Sequence, residues 1–134
     1  MSAALYRVIQ PVTDIEAATR FYAQVFQTPG ERVSGGRHYF DCGGTILACY
    51  DPNADGDGKA EGWRHHFNQY LYFAVSDLEA ALLRVREAGG EIEAEIAAMP
   101  WGETMFYAKD PFGNPISFVD ETTLFRGATP GRTP

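Results

Sequence analysis

The heptapeptide Val12-Thr13-Asp14-Ile15-Glu16-Ala17-Ala18 returns as Val75-Ser76-Asp77-Leu78-Glu79-Ala80-Ala81, type for type, at an offset of 77 − 14 = 63 residues. A repeat constrains a fold more tightly than composition does, because each copy is one supersecondary unit that buries a face against its twin. Each copy closes a β-like run and opens an amphipathic helix. Each also reads as a capping box, Thr13 with Glu16 and Ser76 with Glu79. In that motif the hydroxyl accepts the N3 amide while the glutamate reaches back to the N-cap amide. A second correspondence lays Asp41–Asp51 over Asp110–Asp120 at 110 − 41 = 69, with Gly44 over Gly113 and Ala48 over Ser117. The offset grows by 69 − 63 = 6 residues, which places an insertion in the second copy around 97–102.

The intervening pattern completes two βαβββ modules. Residues 4–11 read as a β-branched, aromatic strand closed by Pro11. A helix from Asp14 to Phe26 buries Ile15, Ala18, Tyr22 and Val25 and stops at Thr28-Pro29-Gly30. Arg32-Val33 forms a short edge strand, and Arg37–Asp41 pairs with Thr45–Tyr50 across Gly43-Gly44. The second copy has a strand over 68–75 and a helix from Asp77 to Ala88 that buries Leu78, Ala81, Leu82 and Val85. Gly89-Gly90 is its C-cap. An alternating edge strand over 91–96 follows, then a hairpin of 103–109 with 115–119. The expected division is therefore a first module over 1–50, a solvated linker over 51–67, a second module over 68–121 and a flexible tail over 122–134, all within one structural domain.

Charge removes several function classes. A net charge of −7 leaves no basic stripe for nucleic acid and disfavours an anionic membrane surface. No apolar run is long enough to span a bilayer, and the first residues lack a signal peptide's basic start and apolar core. Cys42 and Cys49 are the only cysteines, too few for a disulfide scaffold. They read as reduced thiols of a cytoplasmic protein.

The segments V-T-D-I-E-A-A-T-R-F-Y from Val12, V-S-D-L-E-A-A from Val75 and K-D-P-F-G-N-P-I-S-F-V from Lys109 resemble the vicinal-oxygen-chelate superfamily, over about residues 4–121. That superfamily includes glyoxalase I, extradiol dioxygenases, and fosfomycin- and bleomycin-resistance proteins. The resemblance implies an α+β fold of two tandem βαβββ modules forming an open eight-stranded cup with the helices outside. It also implies a homodimer, which unpaired edge strands independently favour. Carried onto this chain, the superfamily's four metal-ligand positions are Arg7, Ala48, Tyr70 and Ser117. None is a carboxylate or imidazole, and a guanidinium repels a cation, so no metal and no other cofactor is expected.

Histidine supplies no substitute site. His65 and His66 are adjacent and diverge if the chain there is extended, and His38 lies on a hairpin strand. Each reads as a satisfied or surface histidine. No nucleophile elbow or phosphate loop is present.

Alternation instead lines the cup with aromatic groups. If Tyr70 faces inward, so do Tyr72 and Ala74, and Ile9 follows Arg7. Ser117 and Val119 go together, with Met105, Tyr107 and Lys109 on the paired strand. Trp101 and Trp63 flank the strands as a rim. The expected ligand contacts are Arg7, Tyr70, Tyr72, Trp101, Met105, Tyr107 and Ser117. The leading expectation is metal-independent binding of a small organic molecule, a drug or metabolite, in a glyoxalase/bleomycin-resistance-like cup. Overall acidity favours a cationic ligand, whereas Arg7 could fork onto a carboxylate or phosphate, or pair with a strand carboxylate such as Glu103. The alternative is a lyase, isomerase or dioxygenase of the same superfamily, metal-dependent or acid–base through Tyr70, Tyr107 and Glu103.

Overall fold

The structure is a computed structural model that describes residues 3–58 and 65–125. The repeat is visible as two modules of identical connectivity. In the first, β1 (Arg7–Pro11), α1 (Ile15–Phe26), β2 (Glu31–Ser34), β3 (Arg37–Cys42) and β4 (Thr45–Tyr50) form a sheet ordered β1-β4-β3-β2. In the second, β5 (Leu71–Val75), α2 (Leu78–Ala88), β6 (Glu91–Ala98), β7 (Thr104–Lys109) and β8 (Pro115–Asp120) form a sheet ordered β5-β8-β7-β6. Each first strand runs parallel to its last, β1 to β4 and β5 to β8, while the remaining pairs are antiparallel. The expected α+β architecture of two tandem modules with open sheets is the observed one. Its eight strands are divided between two four-stranded sheets.

Both helices start at the repeated aspartate. Asp14 accepts the Ala17 amide at 3.1 Å and Asp77 accepts the Ala80 amide at 3.0 Å. This corrects the capping boxes: the cap is the aspartate one position beyond Thr13 and Ser76, not the hydroxyl. A carboxylate caps as well as a hydroxyl does and also meets the positive end of the helix dipole. The buried stripes follow the expected spacing, with Phe21 added to α1. The end of α1 differs, because Gln27 takes the left-handed conformation at φ 55° before Thr28 is reached. At α2 the left-handed residue is Gly89, as the glycine pair suggested.

One core joins the modules. Phe21, Tyr22, Val25, Phe40 and Leu47 of the first are contiguous with Leu82, Val85, Phe106, Ile116 and Phe118 of the second. Phe26 meets Phe73 across the boundary with ring centroids 5.1 Å apart. The segment expected as a solvated linker is exposed over much of 53–58 but anchored at its start. Asp51 and Pro52 are buried, and Asp55 accepts the Gly36 amide at 2.9 Å and pairs with Arg37 at 3.2 Å. Gly36 is required there because a Cβ would run into the Asp51 carbonyl. Trp63, expected at the rim, and residues 126–134 of the expected tail lie outside the described residues.

Candidate functional site

Pairing register divides each sheet into a helix side and an open side. In the second module, Tyr72 lies opposite Ser117, Ser117 opposite Tyr107, and Val119 opposite Met105. Those residues therefore share one face, while Phe73, Phe106 and Phe118 point to the helices. Tyr70 immediately precedes β5, and its ring packs edge-on against Tyr107 at 5.1 Å and beside Tyr72 at 6.4 Å. The three rings form a tyrosine wall. Met105 and Ser117 are fully buried beneath it, and the Ser117 hydroxyl donates to the Phe106 carbonyl at 2.9 Å. Both belong to the floor and offer a ligand no free polar atom. Trp101 stands at the margin, exposed, with its indole N–H donating to Glu103 at 2.8 Å.

Sequence reasoning passed over Glu93, which organises this face. Its Oε1 accepts the Tyr70 hydroxyl at 3.0 Å and its Oε2 pairs with Lys109 Nζ at 3.3 Å. The β6–β7 register shifts between Ile92 and Ala94, so Glu93 is the extra residue of a bulge. A bulge re-aims side chains and breaks strict alternation. The six-residue growth of the offset is taken up beyond the bulge: β6 runs on to Ala98, and the turn closes through a Met99 N–H bond to the Glu103 carbonyl at 2.7 Å.

Burial, then the hydrogen bond and charge of Glu93, push the Tyr70 phenol up to about 12. Burial and neighbouring Tyr107 also raise Tyr72. Both phenols are therefore neutral at physiological pH, able to donate or accept a hydrogen bond but held away from the phenolate.

Arg7 is not part of this cluster. It lies on the open side of the first sheet, where its register partner is Ile46 and where Ile9 and Tyr39 both face Ala48. Its guanidinium donates to the Tyr39 hydroxyl at 3.1 Å and sits 5.4 Å from the Tyr6 ring and 5.7 Å from the Tyr39 ring. All these partners belong to the first module. The anticipated alternative partner, Glu103, instead accepts the Trp101 indole.

The residues present do not fit a divalent metal. The four superfamily positions hold a guanidinium, a methyl, a phenol kept protonated and a hydroxyl committed to a backbone carbonyl. Among the described residues no three His, Cys, Asp or Glu side chains converge elsewhere. His38 is a satisfied core histidine, with Nε2 2.8 Å from the Pro29 carbonyl and Nδ1 accepting from Arg32 at 3.2 Å. Neither cysteine is a ready nucleophile. Burial pushes the Cys42 thiol up to about 11 and Cys49 higher still.

Similarity to known proteins follows the fold. A glyoxalase-related enzyme from Fulvimarina pelagi superposes with TM-score 0.72 at 21% identity, covering 93% of each chain. A glyoxalase/bleomycin resistance protein/dioxygenase family enzyme from Burkholderia phytofirmans gives 0.71 at 18%, covering 91% of this chain and all of the other. A lactoylglutathione lyase from Agrobacterium tumefaciens gives 0.65 at 24%, covering 91% and 96%. No curated protein sequence matches the chain at a significant level. The sequence pattern of one family does match, across residues 4–118, and with the two βαβββ modules it establishes that this chain belongs to the glyoxalase/bleomycin resistance protein/dioxygenase superfamily.

Proposed function

We propose that this protein binds a small planar organic molecule on the tyrosine wall of its second module, without a divalent metal and without chemical conversion. The supporting observation is Tyr70, Tyr72 and Tyr107 on one open sheet face, braced by Glu93 and Lys109. Phenol rings offer stacking surface, and neutral hydroxyls orient a ligand without reacting with it. Glu93 and Glu103 outnumber Lys109 here, and Arg7 is engaged in the other module. That balance favours a neutral or cationic aromatic ligand over an anion. Sequestration of a drug or metabolite in the cytoplasm is the role this reading suits.

The catalytic alternative has less support. A general base works best with a pKa near the working pH, whereas Tyr70 is displaced upward. A metal-dependent lyase, isomerase or dioxygenase would need ligands at positions that hold Arg7, Ala48, Tyr70 and Ser117.

Elemental analysis of the purified protein should find no stoichiometric zinc, iron, nickel or manganese. Titration with a planar aromatic cation such as ethidium should saturate, and Tyr107→Ala or Tyr70→Ala should weaken it by about 1–3 kcal/mol, the cost of losing an aromatic anchor. One metal per chain, or binding indifferent to both substitutions, would overturn the proposal.

We also propose a homodimer. Exposed Tyr6 and Trp101 and the outer edge strands β2 and β6, which no described strand covers, suit coverage by a second copy. Sedimentation equilibrium is expected to give twice the chain mass at micromolar concentration; a monomer there would contradict it.

A further inference from the structure

One cavity lies beside the tyrosine wall, bordered by its Tyr70 and Tyr72. It is a crevice of about 670 Å³ between the modules, behind the free edge of β5. Its walls combine the helix-facing Leu47, Phe73 and Phe118 and the end of α1 at Phe26 with open-side residues at the sheet margins, Ile46 of β4 and Tyr72 and Ala74 of β5. Protein interiors are close-packed and voids beyond the size of a water molecule are few. This crevice is half-open to solvent, and its volume is sufficient to seat a drug-sized ligand.

Its polar content is sparse and placed. Arg84 of α2 donates Nε–H to the Val25 carbonyl at 3.1 Å, which fixes the guanidinium against the C-terminal end of α1. That bond uses one of its five N–H donors. No carboxylate among the described residues pairs with it, although Arg32, Arg37 and Arg86 all have acidic partners. Asp41 is the one carboxylate among the described lining residues. It is exposed and accepts the Gly44 amide at 2.8 Å, closing its own turn. An apolar trough with one half-buried, uncompensated guanidinium selects for charge as well as for hydrophobicity.

We propose that this crevice is a second ligand site, which takes an amphipathic organic anion: an alkyl or aryl body on Leu47, Phe73 and Phe118, and a carboxylate or sulfonate on Arg84. It differs from the tyrosine wall in location and in charge preference. The two sites meet along Tyr70 and β5, where Tyr70 and Tyr72 also border the crevice.

Decanoate and decanol share one chain and differ in the charged group, so calorimetric titration of the full chain with each separates the two contributions. Decanoate is expected to bind saturably. Arg84→Gln should weaken it roughly tenfold or more, the scale of a charge-assisted pair, and leave decanol within about twofold. Val8→Phe, which narrows the crevice from β1, should abolish both, while Tyr107→Ala should change neither. Circular dichroism and a thermal melt establish that each variant is folded, and Arg84→Gln serves if Val8→Phe is not. Absence of saturable decanoate binding, or an unchanged affinity in Arg84→Gln, overturns the proposal. So does decanoate binding that Tyr107→Ala abolishes and Val8→Phe preserves, because it would sit on the wall. If Val8→Phe instead turns a dimer into a monomer, a second copy occupies the crevice and the proposal fails.

Discussion

Replacing Asp110 with asparagine is expected to destabilise the protein by about 3–4 kcal/mol, because it turns an acceptor for five donors into a group that confronts some of them. Asp110 Oδ1 accepts the Phe112 and Asn114 amides, both at 2.9 Å. Its Oδ2 accepts the Tyr22 hydroxyl at 2.7 Å, Asn114 Nδ2 at 2.8 Å and Gln10 Nε2 at 3.4 Å. Asn114 in turn donates to the Pro11 carbonyl at 2.7 Å and accepts the His65 amide at 3.2 Å. The node thus ties β1, α1 and the entry to the second module onto one turn. Gln10, Tyr22, Asp110 and Asn114 are all buried, and among the described residues no cation pairs with the carboxylate. An asparagine amide in place of Oδ2 would point its own N–H groups at the phenol and at Asn114.

The pH dependence carries a definite sign. Burial is the largest influence on Asp110 and raises it above the usual carboxylate range, against the opposing pull of its donors. The native state therefore keeps this proton to a higher pH than the unfolded chain does. Its contribution to stability is fully present below about pH 3.9, the unfolded value, and declines as pH rises through the native one. Denaturant unfolding should show the gap between wild type and Asp110→Asn narrowing from pH 4 to pH 7. A gap that widens over that range would show that the donors outweigh burial, and a cost below about 1 kcal/mol would show that the node is dispensable.

The second large effect contrasts the two sides of one sheet. Phe118→Ala is expected to cost about 3–5 kcal/mol, the range for a fully buried phenylalanine. Its ring stacks on Phe106 at 5.2 Å and meets Phe73 at 5.3 Å, with 1% of its surface exposed. Tyr72→Ala, on the neighbouring strand but the open side, should cost less than about 1 kcal/mol, as exposed positions usually do. Tyr72 is 55% exposed, and β5 pairs it with Ser117, one residue from Phe118. Equal costs for the two would mean that the tyrosine wall is packed as core, and the ligand reading would fail with it.

The modules, their helices and their hairpins are legible in the amino-acid order, because each is written in short-range pattern. Helical spacing from Ile15 to Val25 and from Leu78 to Val85 marks a buried stripe, and the glycine turns mark the reversals. Period-two alternation was enough to group Tyr72 with Tyr107 and Ser117. Tertiary structure decided what those groups meet, because such contacts depend on residues far apart in the chain. Asp41 and Asp110 occupy matching places in the repeat, yet Asp41 is exposed and only closes its turn, whereas Asp110 is buried against Gln10 and Tyr22 of the other module. The Glu93 bulge escaped strict alternation because it is the point where alternation fails. Arg7 and Tyr70 occupy equivalent positions of the repeat, and the structure keeps them in separate modules, each with partners of its own. The crevice had no local signature, since it exists only where two sheets meet around the end of one helix.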